Sequence, residues 1–145
     1  MKVNKEQMCQ QLNKSLAQLD EVVFFILEKI NKLKPKFLLL DGQIGAGKTT
    51  LVKALGKFWK ENKPISSPTF NKMQIYDHFV HVDAYNLDLH KFSTLMDYFD
   101  DKLVIIEWAQ NLHYEFEMAL KIEINWIDFE SRHYLICWTQ TWFLD

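Results

Sequence analysis

Arginine is almost absent from this 145-residue chain: Arg132 stands alone beside sixteen lysines. Chemistry that needs several guanidinium forks on one anion is therefore excluded unless a partner supplies them. Cysteine is scarce as well. Cys9 and Cys137 lie too far apart in sequence to suggest a disulfide framework or a zinc site, which suits a reducing cytosol. Long apolar runs are missing. Residues 1–20 carry charges and amides where an export signal needs a hydrophobic stretch, and the most apolar region, 22–40, is broken by Glu28, Lys29, Lys32, Lys34, Pro35 and Lys36. Neither export nor a membrane span is expected, and a cytoplasmic location is. Charge of one sign is also lacking: at a net −2 there is no basic field for autonomous binding of DNA or other nucleic acid.

What is present suits one packed domain over residues 1–145. Apolar residues make up 48% and aromatics 14%, which argues against disorder and gives the five tryptophans a first reading as core. A chain of this length buries about two-thirds of its unfolded surface. No linker or repeat is visible.

Glycine is the fifth scarcity, and its distribution is informative. Of four glycines, Gly42, Gly45 and Gly47 fall within Gly42-Gln43-Ile44-Gly45-Ala46-Gly47-Lys48-Thr49. This is a complete G-x-x-x-x-G-K-[ST] Walker A loop, placed between the apolar run 37–40 and a run of helix formers. Glycines let backbone N–H groups turn inward around phosphate oxygens. Lys48 then reaches the β and γ oxygens as a point charge, the Thr49 hydroxyl holds Mg²⁺, and the helix N-terminus adds its dipole. Thr50 follows in the same turn.

The remaining elements read as follows. Residues 4–33 look helical in two pieces around Asp20, so that 1–22 forms a helical extension and Val23, Ile26, Leu27, Ile30 and Leu33 make the apolar stripe of the second piece. A helix follows Thr49 as far as Pro64. Residues 66–70 are a polar turn in the position of a loop that senses the γ-phosphate. Two short strands, 73–76 and 79–85, precede an amphipathic helix at 88–100, and 103–106 is a strand buried on both faces. A helix is expected at 111–120. Alternation at Ile122, Ile124 and Trp126, and again at Tyr134, Ile136 and Trp138, then marks a C-terminal hairpin. The fold class is α/β: a P-loop domain with a central, mostly parallel sheet flanked by helices and closed by antiparallel strands.

A Walker A loop needs a carboxylate at a neighbouring strand's end. Glu107 follows 103–106, and Asp83 follows Phe79-Val80-His81-Val82. Both are candidates for magnesium and catalysis. Trp108 falls at the rim of the same pocket. His81 and Asp83 share a side of their strand, but no third ligand is in reach and zinc is not expected. Asn71-Lys72-Met73-Gln74 starts like the guanine-reading N-K-x-D and lacks its aspartate, so ATP is the expected nucleotide.

Taken in order, the loop 42–50, Ser67-Pro68-Thr69-Phe70, His81-Val82-Asp83-Ala84-Tyr85-Asn86-Leu87, Asp97-Tyr98-Phe99 and Ile105-Ile106-Glu107-Trp108-Ala109 resemble the TsaE (YjeE) family of small bacterial ATPases. The resemblance spans about residues 23–138. It implies slow Mg²⁺-dependent ATP hydrolysis that supports threonylcarbamoyladenosine formation in tRNA, through docking on a TsaB–TsaD complex. The tRNA itself would be met only through that complex. The resemblance further implies Lys48 and Thr49 on phosphate and metal, Thr69 in a switch-like loop, Asp83 and Glu107 on magnesium and catalysis, and Trp108 by the nucleotide. Gln43 and Asn86 depart from the family pattern, where an acid and an arginine are usual. Two rival readings are a small-molecule kinase, for which one arginine is poor equipment, and a nucleotide-gated interaction module with little hydrolysis.

Overall fold

Two apolar runs occupy the middle of the sheet because only there are both strand faces covered. In the computed structural model, which describes residues 2–68 and 72–144, these are β2 (Phe37–Asp41) and β5 (Leu103–Glu107), hydrogen-bonded side by side. Side chains alternate between two cores. Leu38, Leu40 and Ile105 face one with α1 (Leu19–Leu33) and α2 (Lys48–Phe58), while Leu39, Val104 and Ile106 face the other with Phe92, Phe99 and Phe116. Burial of each such Leu or Ile is worth about 1.5–3 kcal/mol.

The other strands are β1 (Lys2–Ser15), β3 (Met73–Ile75), β4 (Phe79–Asp83), β6 (Ala119–Trp126) and β7 (Ser131–Leu144). Their order is β1-β7-β6-β2-β5-β4-β3. The centre, β6-β2-β5-β4, is parallel; β3, β7 and β1 add antiparallel edges. The centre is thus parallel as expected, and the antiparallel edges make the sheet as a whole mixed. The expected hairpin is β6 and β7, with Ile122 opposite Ile136 and Ile124 opposite Tyr134. The helix expected at 88–100 is α3 (Leu89–Leu95), capped by the Asp88 carboxylate on the Lys91 N–H at 2.8 Å, and continues as a 3-10 turn over Met96–Tyr98.

Three expectations are corrected. The N-terminal stretch is a strand: β1 pairs antiparallel with β7 from Lys2 opposite Leu144 to Ser15 opposite Ser131, and only α1 keeps the predicted stripe. Met8 and Leu12 share helical spacing, yet a free β7 edge offers a full ladder of backbone bonds, and tertiary pairing overrides local spacing. The helix expected at 111–120 is a 3-10 turn at Ala109–Leu112 followed by loop, because left-handed backbone at His113 and Met118 interrupts it and Ala119 and Leu120 pair with Phe37 and Leu38. Finally, Cys9 and Cys137, opposite one another on β1 and β7, are joined as a disulfide. Among the described residues no helix is long and apolar enough to cross a membrane.

Candidate functional site

The site lies where β2 gives way to α2. Gly45 and Gly47 take φ of +80° and +114°, values that favour glycine, and Gly47 caps α2 without a side-chain bond, so the first N–H groups of the helix face the loop. Gly42, also at a positive φ of +157°, is needed for a second reason. A Cβ there would stand 2.5 Å from the Ile124 carbonyl oxygen on β6. Lys48 bends back into the loop's mouth, its ammonium donating to the Gly42 carbonyl at 2.6 Å and the Gln43 carbonyl at 3.0 Å and lying 4.0 Å from the centre of the Trp108 ring. Burial pushes its pKa below the ordinary lysine value, while Glu107, Asp41 and Asp83 act to hold the charge in place.

Strand alternation brings the acids together. On β4, Phe79, His81 and Asp83 point toward the α2 side; on β5, Leu103, Ile105 and Glu107 do the same, and the register sets Asp83 beside Glu107. The Glu107 carboxylate accepts the Thr49 hydroxyl at 3.0 Å on each oxygen, and His81 Nε2 meets Oε2 at 2.5 Å. His81 is fully buried and Glu107 nearly so. With Nε2 donating, Nδ1 is a buried acceptor, and it has no partner among the described residues. Asp83 is held by the Tyr85 N–H on Oδ1 at 3.0 Å.

Trp108 takes a left-handed φ of 61°, anchored by its N–H on the Leu40 carbonyl at 2.9 Å, and its ring meets Tyr85 edge-on. This turns the chain sharply after β5 and holds the indole over Lys48. The cleft so formed measures about 290 Å³; Lys48, Thr49, Asp83, Glu107 and Trp108 line it with Ser67.

The predicted residues divide by role. Ile44, Gly45, Gly47, Lys48, Thr49, Thr50, Asp83, Glu107 and Trp108 reach the cleft. Gly42, Gln43 and Ala46 contribute backbone: the first two hold Lys48, and the Ala46 carbonyl accepts Arg132 Nε at 2.9 Å. Thr69 lies outside the described residues. Sequence reasoning missed His81 as the support of Glu107, Ser67 as a lining residue and Arg132 as a brace of the loop. His81 carried a signal, since it shares a strand face with Asp83; Arg132 carried none beyond its rarity. One hydroxyl and two carboxylates are hard oxygen donors of the kind Mg²⁺ takes alongside phosphate oxygens and water, so the donor set fits that ion and not zinc.

A Walker A backbone with a supported acid on the adjacent strand recurs in many proteins, so comparison with known proteins is decisive. The model of the family described as threonylcarbamoyl adenosine biosynthesis protein TsaE matches residues 3–134. The chain belongs to the TsaE family. Among curated relatives, the tRNA threonylcarbamoyladenosine biosynthesis protein TsaE of Nostoc sp. is 32% identical over 106 residues, covering 66% of this chain and 65% of that protein. The TsaE of Aquifex aeolicus is 29% identical over 121 residues, covering 78% and 88%. The crystal structure of YdiB from Bacillus subtilis superposes with a TM-score of 0.58 at 24% identity, covering 90% of this chain and 86% of that one, and so shares the fold. The family match begins within β1 and runs into β7, so the edge strands belong to the family region.

Proposed function

We propose that this TsaE-family chain is a Mg²⁺-dependent ATPase, slow when alone, that supports threonylcarbamoyladenosine modification of tRNA by acting on a TsaB–TsaD-type complex in the cytoplasm. The observation that carries the reading is the hydrogen-bonded chain Thr49–Glu107–His81 beside Lys48, which the carbonyls of the glycine loop hold at its mouth. Loop N–H groups and the α2 terminus would bind the phosphates, with Lys48 on the β and γ oxygens. Thr49, Asp83 and Glu107 would hold magnesium, which supplies neutralisation of phosphate charge when bound. His81 keeps the Glu107 carboxylate aimed at Thr49, and Trp108 covers Lys48 from water. Asp83 and Glu107 are the available groups to orient an attacking water.

A phosphoryl transferase of small molecules fits less well. The single arginine is buried with Nε bound to Ala46 and Nη1 bound to the Asp128 and Ser131 carbonyls, so it is not free to clamp a transferring group. Hydrolysis of ATP with Mg²⁺, by the purified chain alone and with cognate TsaB–TsaD and tRNA, tests the proposal. Slow turnover that rises with the partners, and is lost in Glu107→Gln while ATP binding survives, is expected. Brisk transfer to a small acceptor without partners would make the chain a kinase, and binding without turnover in any mixture would make it a gated interaction module.

A further inference from the structure

We propose that Trp126 and Phe129, in the turn joining β6 to β7, form the platform on which the purine base of the bound nucleotide stacks. The inference rests on the nucleotide reading above and adds a base subsite to it. Four observations carry it.

The first is exposure. Leu120, Ile122 and Ile124 lie on one face of β6 and are buried under the α1–α2 layer. Trp126 is the next residue on that face, yet it is 57% exposed; Ile127 and Phe129 beside it are 47% and 85% exposed. Trp126 and Phe129 touch, with ring centres 6.5 Å apart, so their exposure is grouped rather than scattered, as at a binding surface.

The second is attachment to the phosphate loop. The Ile124 carbonyl abuts Gly42, and Arg132 spans the gap, with Nε on the Ala46 carbonyl and its guanidinium carbon 5.6 Å from the centre of the Trp126 ring. Trp126 and Arg132 are also cross-strand partners. The patch therefore holds a fixed position relative to the loop.

The third is direction. Asp83 and Glu107 end β4 and β5, on one side of β2, so the terminal phosphate and its metal belong on that side. β6 flanks β2 on the other side. Two strand spacings, roughly 10 Å, separate β5 from β6, which is the order of a triphosphate's reach. A nucleotide with its γ-phosphate at Glu107 leaves the loop toward the end of β6.

The fourth is chemistry. The two rings meet edge-on, with centres 6.5 Å apart, so they are not stacked on each other. A base laid on an aromatic face gains stacking energy whatever its hydrogen-bonding edge. The platform thus takes a purine without choosing between adenine and guanine.

Calorimetric titration with Mg²⁺ present, using ATP and inorganic tripolyphosphate as separate probes, tests this. Trp126→Ala/Phe129→Ala should bind ATP roughly 5- to 100-fold more weakly while its affinity for tripolyphosphate stays within about 2-fold. Trp126→Phe/Phe129→Tyr, which keeps two rings, should retain ATP affinity. Unchanged ATP affinity in the alanine variant, or equal loss of both probes, would overturn the platform and leave the patch as a protein-facing surface. Failure of the unaltered chain to bind either probe would instead overturn the nucleotide reading itself.

Discussion

Substituting Gly42 by alanine isolates the contact between the phosphate loop and β6. The added Cβ would lie 2.5 Å from the Ile124 carbonyl oxygen and 3.2 Å from the Ala46 Cβ, where ordinary contact begins at 3.4 Å. The offending atom is backbone, so no rotamer relieves the overlap. Strand and loop must separate by close to an ångström, an overpacking cost of about 1–3 kcal/mol. The φ of +157° adds a further ~1–3 kcal/mol for an L residue. Gly45→Ala is the internal control. At φ +80° it carries the backbone cost, but nothing lies within 4 Å of its Cβ. Urea unfolding of the two variants should therefore differ by about 1–3 kcal/mol, a midpoint lower by about 0.5–1.5 M for Gly42→Ala at a slope near 2 kcal/mol/M. Equal destabilisation of the two would refute the claim that the end of β6 seats against the loop, and would weaken the placement of the base subsite with it.

Two further outcomes concern stability alone. Burial raises the Asp41 carboxyl above its ordinary value, reinforced by Glu123 and opposed by the Gln110 N–H and Lys48. The folded chain thus holds that proton more tightly than the unfolded one, and stability falls as pH climbs from the unfolded pKa through the folded one. Asp41→Asn, whose side-chain oxygen still accepts the Gln110 N–H, should flatten that part of the slope just above the ordinary carboxylate range and raise the urea midpoint at pH 7; a lower midpoint at pH 7 would mean that attraction to Lys48 outweighs desolvation. Cys9 and Cys137 are 128 residues apart, so an intact bond should stabilise by up to ~5 kcal/mol on chain-entropy grounds. Dithiothreitol should then lower the urea midpoint of the oxidised chain and leave that of Cys9→Ser unchanged.

Local chemistry was legible residue by residue. Three glycines in eight residues required a loop with left-handed turns, and Gly45 and Gly47 adopt them. The runs before Gly42 and Glu107 required strands covered on both faces, and alternation alone placed Glu107 on the side of the sheet that Thr49 occupies. The α1 stripe and the β6–β7 alternation were equally plain. None of these needs knowledge of a distant residue, because period and glycine content report the backbone and the face.

What only the tertiary structure decided involves partners far apart in the chain. β1 is a strand because β7 presents an edge to it, not because residues 2–15 prefer extension. The same pairing brings Cys9 to Cys137. His81 supports Glu107 only because β4 and β5 lie in register, and Arg132 braces Ala46 across 86 positions. A sequence states which face a side chain takes within its own element. Which element that face then meets depends on strand order and register, set by the shared burial of both cores and by backbone pairing, and no single segment contains them.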